Sequence, residues 1–227
     1  LIKVLSGAVP YTSGEIRIDG EDNRSMPAYR LRRRIGYAIQ GHGLFPHRTV
    51  ADNIATVPVL NGVSRRQARL AAQELLERVG LPQSVGPRYP AMLSGGQQQR
   101  VGVARALASD PYILLMDEPF GAVDPIVRRE LQDELVRLPA ELSKTIVFVT
   151  HDIDEAFRIG DEVVVLREAA QIAQRGTPAE ILAAPADDFV RDFIGADRAE
   201  RILTTITVGE STIAIDGDGR PVGVLSG

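Results

Sequence analysis

Leu93-Ser94-Gly95-Gly96-Gln97-Gln98-Gln99-Arg100, followed about one helix later by Ile113-Leu114-Leu115-Met116-Asp117-Glu118, is the stretch on which the fold turns. Two glycines at the start of a helix leave backbone N–H groups bare at its positive end, where phosphate is welcome. Four apolar residues closed by two acids read as a buried strand whose carboxylates meet a crevice, an arrangement suited to Mg²⁺ and to an attacking water. The pair of features points to nucleoside triphosphate chemistry.

Working outward, apolar runs alternate with helical patterns. Gln97 to Ala108 reads as a helix, Tyr112 to Met116 as a strand, Ile126 to Leu138 as a helix, Thr145 to Thr150 as a strand and Ile153 to Ile159 as a helix. Such alternation predicts a parallel sheet with helical crossovers and ligands gathered at the carboxyl ends of its strands. Upstream, Ile35 to Ile39 is another strand, ending at Gln40, and Glu15 to Gly20 alternates toward an Asp-Gly turn, which suggests a β-rich subdomain. Gly41 to Met92 is helical in pattern. There Ser64-Arg65-Arg66-Gln67 reads as a capping box, and Ala68, Ala71, Leu75, Leu76 and Val79 form an apolar face before Gly80 and Pro82 stop the helix.

Downstream, Glu162 to Leu166 and Gln171 to Arg175 suit a hairpin, although Ala169-Ala170 stands where such a turn prefers glycine. Thr177-Pro178-Ala179-Glu180 repeats the capping logic ahead of a short helical stretch to Ile194. Beyond Asp197, Thr204 to Val208, Thr212 to Ile215 and Val222 to Leu225 read as short strands, which need a cover to be stable.

Composition narrows the class. The 227 residues are 44% hydrophobic and 25% charged, ordinary for a globular chain. No apolar run approaches the roughly 20 residues that cross a bilayer as a helix. There is no cysteine, hence no disulfide or thiolate metal site. The formal net charge of −4 supplies no basic field for nucleic acid, so none is expected as a partner. His42 and His47 lack neighbouring carboxylates and do not suggest a metal pair.

The ordered set Leu93-Ser94-Gly95-Gly96-Gln97, Asp117-Glu118 and Val149-Thr150-His151-Asp152 resembles the ATP-binding subunits of ABC transporters. The resemblance implies an α/β fold, the ABC-type P-loop NTPase nucleotide-binding domain, with a parallel-sheet core, an N-terminal β subdomain, a helical subdomain and a short β-rich tail. It implies a domain over residues 1–196, with the helical subdomain at about 41–95; separately, Ile215 to Leu225 resembles part of a CBS module, so 197–227 is expected as a partial CBS-like regulatory tail, with a plain hairpin ending as the alternative. ATP and Mg²⁺ are the expected ligands. Asp117 and Gln40 would serve the metal, and Glu118 would orient the water. His151 would contact the γ-phosphate, while Gln40 would reach the site from a hinged loop beside the permease. Ser94, Gly95, Gly96, Gln97 and the D-loop residue Asp124 would complete the nucleotide site of a second copy, so a homodimer or a pairing with a close homologue is implied. By residue chemistry alone the two acids also fit a cap on the next turn, and His151 also fits an ordinary turn residue.

Leu1 to Ser6 reads as a helix closing at Gly7 with nothing ahead of it to cap it, so the sequence is expected to begin inside an element. No Gly-x-x-x-x-Gly-Lys-Ser/Thr loop is present. By resemblance that loop would immediately precede Leu1, and taken literally this stretch would bind ATP poorly. We expect omission of a preceding segment rather than a degenerate subunit.

Gly43-Leu44-Phe45-Pro46-His47, Thr49 to Ile54, Phe120 to Pro125, Leu131 to Leu135 and Phe189 to Gly195 further resemble the ATPases of importers for quaternary ammonium osmolytes such as glycine betaine, carnitine or choline. Implied partners are transmembrane permease subunits and, indirectly, a solute-binding protein, at the cytoplasmic face of the membrane. Other amino-acid or small-solute importers, or a noncatalytic or soluble regulatory protein of the same family, remain the alternatives. An ABC ATPase acting on DNA or ribosomes would carry a coiled-coil or basic insertion between Gln40 and Ser94, and no sustained heptads occur there.

Overall fold

The structure is a computed structural model that describes residues 1–39, 43–121, 125–142, 144–195, 204–208, 211–215 and 221–225. It divides into two units, Leu1–His151 and Asp152–Gly227. Gln40 and Asp124 lie outside the described residues.

In the first unit, α1 (Ile2–Leu5) precedes a small hairpin of β1 (Arg17–Ile18) and β2 (Glu21–Asp22), then α2 (Ala28–Arg34) runs straight into β3 (Ile35–Ala38). The hairpin turns at Asp19-Gly20, both at positive φ, as a two-residue Asp-Gly loop requires. Next come α3 (Val50–Ile54), α4 (Thr56–Leu60), α5 (Arg65–Arg78), α6 (Gly95–Leu107), β4 (Ile113–Asp117), α7 (Pro125–Leu142) and β5 (Thr145–Val149).

Strands β3, β4 and β5 pair in that order, all parallel, with Ile35 opposite Ile113 and Asp117 opposite Val149. Both faces of the central strand are covered, hence its unbroken apolar run. On one face Leu115 packs with Ile2, Ile18, Leu31 and Ile35. On the other, Gly36 and Leu114 meet the last turn of α6: a Cβ at Gly36 would lie 2.3 Å from the Ala106 carbonyl oxygen and 2.5 Å from Leu114 Cδ2. Glycine is therefore required at this crossing, because only its absent side chain lets helix and strand touch.

The helical segment departs from expectation in two details. Ala72, not Ala71, joins Ala68, Leu76 and Val79 in the buried stripe of α5, and Ala71 is exposed. At Ser64 only half a capping box forms. Its hydroxyl accepts from the Gln67 N–H at 3.3 Å, but it also donates to Gln67 Oε1 at 2.7 Å, which occupies the side chain that would otherwise reach back to the Ser64 N–H.

The second unit begins with α8 (Ile153–Ile159), capped by Asp152, and continues through β6 (Val163–Leu166), β7 (Ile172–Gly176), α9 (Pro178–Ala183) and α10 (Asp188–Ile194). Strands β6 and β7 form the expected antiparallel hairpin. Its turn takes Ala169 and Ala170 both to φ 57°, so two alanines occupy the left-handed region that glycine favours. Thr177 and Glu180 make both halves of a capping box on α9, and Gly195 closes α10 in a left-handed cap. Val163, Val165, Ile181, Val190 and Ile194 form the core of this unit. Strands β8 (Thr204–Val208), β9 (Ser211–Ile215) and β10 (Pro221–Leu225) pair as an antiparallel sheet in the order β10-β9-β8.

Candidate functional site

Parallel pairing brings the carboxyl ends of β4 and β5 side by side, and three of the expected residues meet there. Asp117 is the last residue of β4, half-buried opposite Val149. Glu118 leaves the strand with φ 45°, an uncommon conformation for a side-chain-bearing residue, and its N–H donates to the Val149 carbonyl at 2.9 Å. The turn that follows is closed by the Gly121 N–H on the Glu118 carbonyl at 3.2 Å. This geometry stops the ladder at Asp117 and turns the next carboxylate across to β5. There Glu118 Oε1 lies 3.2 Å from Nδ1 of His151, which stands just past β5.

The Glu118 backbone closes the turn while its side chain reaches the histidine. Glu118 is 30% exposed and His151 77%, so the pair opens to solvent. A carboxylate oriented by an imidazole at an accessible strand end can hold a water and accept its proton.

Tyr37 adds a group that motif reading missed. It pairs with Leu115 in register and so shares the face carrying Asp117 two residues on. Burial first, then the charge of Asp117, raise its phenol above the ordinary tyrosine range, so it stays neutral beside the acid. The period-two alternation of two paired strands was the signal that could have exposed it.

Ser94 to Gln97 sit on a different element, the start of α6. Ser94 is its N-cap, with Gln97 N–H donating to Ser94 Oγ at 3.3 Å and Ser94 N–H donating to Gln97 Oε1 at 3.1 Å. The reciprocal cap is complete here, in contrast to Ser64, and it holds Gly95 and Gly96 on the outer turn of a helix whose following residues are buried from Gln99 onward. Gly95 is exposed and Gly96 partly so, which suits a surface offered to another molecule.

No cluster of three or more His, Asp or Glu able to cage a metal exists among the described residues. That donor set fits Mg²⁺ arriving with a phosphate: such an ion keeps several waters and takes one or two carboxylates besides the phosphate oxygens, and Asp117 offers one.

Asn53 is the second residue that the sequence did not flag. Fully buried on α3, it accepts the Phe45 N–H at 2.7 Å and donates to the carbonyls of Phe45, Arg48 and Thr49 at 3.1, 3.2 and 2.9 Å. It anchors the loop that follows the Gln40 segment. Beside it a groove of about 480 Å³ is lined by Phe45, Arg48, Ala55, Val59, Leu60 and Arg65, among others.

Residues 1–121 match the family model described as ABC transporter. The chain is 51% identical over 210 residues to the glycine betaine uptake system ATP-binding protein YehX of Escherichia coli (strain K12), covering 92% of this chain and 68% of that protein. It is 50% identical over 197 residues to the choline transport ATP-binding protein OpuBA of Bacillus subtilis (strain 168), covering 87% of this chain and 51% of that protein. The chain therefore spans between about half and two thirds of these relatives. Among solved structures it is similar to the dimeric structure of MJ0796, a bacterial ABC transporter cassette, with TM-score 0.71, 32% identity and 78% of each chain covered. A post-hydrolysis state of the same cassette, bound to ADP and Pi, matches with the same TM-score at 31% identity.

Proposed function

The chain belongs to the ABC transporter family, and from that membership we propose that it works as the ATP-binding and ATP-hydrolysing motor of an importer for quaternary ammonium osmolytes such as glycine betaine, carnitine or choline. The observation that carries the catalytic part is the 3.2 Å contact between Glu118 and His151 across neighbouring strand ends, beside Asp117. Support for the cargo comes from the relatives, a glycine betaine uptake ATP-binding protein and a choline transport ATP-binding protein.

Glu118 orients a water and takes its proton as the water oxygen bonds the γ-phosphorus and ADP leaves with the bridging oxygen. His151 keeps the carboxylate aimed and faces the phosphate. Asp117, with Gln40, holds Mg²⁺, and Tyr37 keeps a neutral wall against Asp117. When bound, the ion neutralises phosphate charge. Ser94, Gly95, Gly96, Gln97 and Asp124 serve the nucleotide of the second copy, which requires a homodimer or a close homologue; the dimeric form of MJ0796 supports this reading.

No helix among the described residues is long and apolar enough to cross a membrane. From the family membership, attachment runs through a permease. The groove beside Phe45 receives a helix from a cytoplasmic loop of that permease. Its floor is apolar at Ala55, Val59 and Leu60, and Arg65 makes no ion pair with a described residue, whereas Asp52 is already taken by Arg69 at 2.7 and 2.9 Å. An acidic residue on the incoming helix complements Arg65. A solute-binding protein delivers the cargo on the far side, and residues 197–227 form part of a CBS-like regulatory module.

The test is phosphate release by the natural full-length protein with Glu118→Gln. Hydrolysis should drop by roughly 100-fold or more with ATP binding retained. Undiminished turnover would remove Glu118 from the chemistry.

A further inference from the structure

Helix α2 reads Ala-Tyr-Arg-Leu-Arg-Arg-Arg, and its one buried residue fixes where the four arginines point. Leu31 is 1% exposed, packed with Ile2, Ile18, Ile35 and Leu115. At about 100° per residue, Arg30, Arg33 and Arg34 then fall on one flank of the helix and Arg32 on the other. The contacts agree with that division. Arg32 donates to the carbonyls of Ser6 and Gly7 at 3.3 and 2.8 Å, just past the end of α1. The other three arginines line a cavity of about 570 Å³ together with Glu21, Ser25 and Met26.

Three cations share that cavity with one carboxylate. Glu21 Oε2 lies 3.4 Å from Arg34 Nη1, a long contact between two exposed side chains that an incoming anion readily replaces. Arg30 and Arg33 make no ion pair with a described residue, and their guanidiniums lie 6.0 and 5.6 Å from the centre of the Tyr29 ring. The helix dipole accounts for basic residues in the last turn of α2. It does not account for Arg30, which stands in a first turn that holds no acid. Arginines three and four residues apart on one helix repel each other, and an anion held between them removes that repulsion. Nor is this a general field, because residues 17–34 carry six arginines and three acids within a chain of net charge −4.

We infer that this cavity is a binding site for a small polyphosphate anion, held by Arg30, Arg33 and Arg34. The planar guanidinium fork matches phosphate oxygens two at a time. From Arg30 to Arg34 the helix rises about 6 Å, more than one tetrahedral anion covers, so linked phosphate groups are needed to meet all three arginines. The volume lies within the roughly 300–1,000 Å³ of small-molecule sites, too little for a nucleic acid duplex. Because α2 runs into β3, and Ile35 pairs with Ile113 at the start of β4, the cavity stands at the amino end of the sheet. Asp117 and Glu118 stand at the carboxyl end, so the two sites are separate.

The experiment is calorimetric titration of the natural full-length protein with inorganic tripolyphosphate, in excess ADP to fill the nucleotide site and without Mg²⁺, which the probe would chelate. Wild type should take up the probe. Arg30→Gln/Arg33→Gln should weaken binding about 10-fold or more, whereas Arg66→Gln/Arg78→Gln, an equal charge change at exposed positions of α5, should stay within about twofold. Sulfate at equal ionic strength should bind about 10-fold weaker than tripolyphosphate or worse. No uptake by wild type overturns the inference. So does equal weakening in both double variants, which marks a diffuse charge effect, or sulfate as tight as tripolyphosphate. Sedimentation with phosphatidylglycerol vesicles that needs Arg30 and Arg33, without uptake of the free probe, makes the patch a lipid contact and also overturns it. Should Arg30→Gln/Arg33→Gln not fold, Arg34→Gln alone decides, with an expected loss of about threefold or more. None of these outcomes depends on ATP hydrolysis, so failure of the motor reading and failure of this site are told apart.

Discussion

Replacing Asn53 with alanine should be among the most damaging single truncations in the first unit. The side chain is fully buried, and it supplies one acceptor, to the Phe45 N–H, and two amide hydrogens shared among the carbonyls of Phe45, Arg48 and Thr49. Two donated bonds and one accepted bond, at about 1 kcal/mol net each, give a loss of about 3 kcal/mol. Phe45 itself is exposed, so water can take over part of what its N–H loses, and the carbonyls, with two lone pairs each, suffer less still. The corresponding fall in Tm is roughly 6–12 °C for a chain of this size. Asn53→Asp sharpens the test. It keeps the acceptor for Phe45 but sets an oxygen against three carbonyl oxygens, which favours the protonated acid and raises the carboxyl pKa in the folded state. A raised acid binds its proton more tightly folded than unfolded, so this variant should lose stability as pH rises from 5 to 8 and regain it on acidification. Urea denaturation of wild type, Asn53→Ala and Asn53→Asp at both pH values reads these differences. A loss below about 1 kcal/mol for alanine, or an aspartate variant indifferent to pH, would refute the account of the loop anchor.

Gly36→Ala should cost upward of about 3 kcal/mol, since the new methyl would sit 2.3 Å from a backbone carbonyl that cannot swing aside; circular dichroism melting checks it. Gly20→Ala, where φ is 80° but nothing lies within 4 Å, should cost only about 1–2 kcal/mol in the same assay, separating collision from backbone strain. Asp52 is held below the usual carboxylate range mainly by the Arg69 hydrogen bonds, so its contribution is present at neutral pH and is lost as pH falls through its folded pKa. Stability of Asp52→Asn should therefore decline less than wild type below about pH 4, by a step within the ~0.2–1 kcal/mol of solvent-accessible pairs. Ser94→Ala removes the N-cap of α6 and should lower stability by about 1 kcal/mol, with Ser94→Thr close to wild type in a denaturant titration.

The order of elements, the parallel sheet and the position of Asp117, Glu118 and His151 at strand ends were legible in the sequence because apolar runs and caps are local properties, read over a few neighbouring residues. The same reasoning named Thr177 as the start of α9, where hydroxyl and glutamate sit three residues apart, whereas α6, read from about Gln97, starts at Gly95 on a Ser94 cap of equal spacing. It failed at Ser64, where an equal spacing made only half the box, since the choice between two hydrogen bonds to one side chain depends on geometry that spacing does not encode. It also took Ala71 for Ala72, because which side of a helix faces inward is set by the partner that packs on it.

What belongs to the amino-acid order by itself is the family, the run of helices and strands, and the chemistry of the residues offered at the strand ends. The tertiary structure alone decided that Glu118 reaches His151, that Tyr37 stands beside Asp117, and that Asn53 grips the loop at Phe45. Those contacts join residues far apart in the chain, and their existence depends on how strands register and helices cross, which is a property of the packed molecule and not of any window along it.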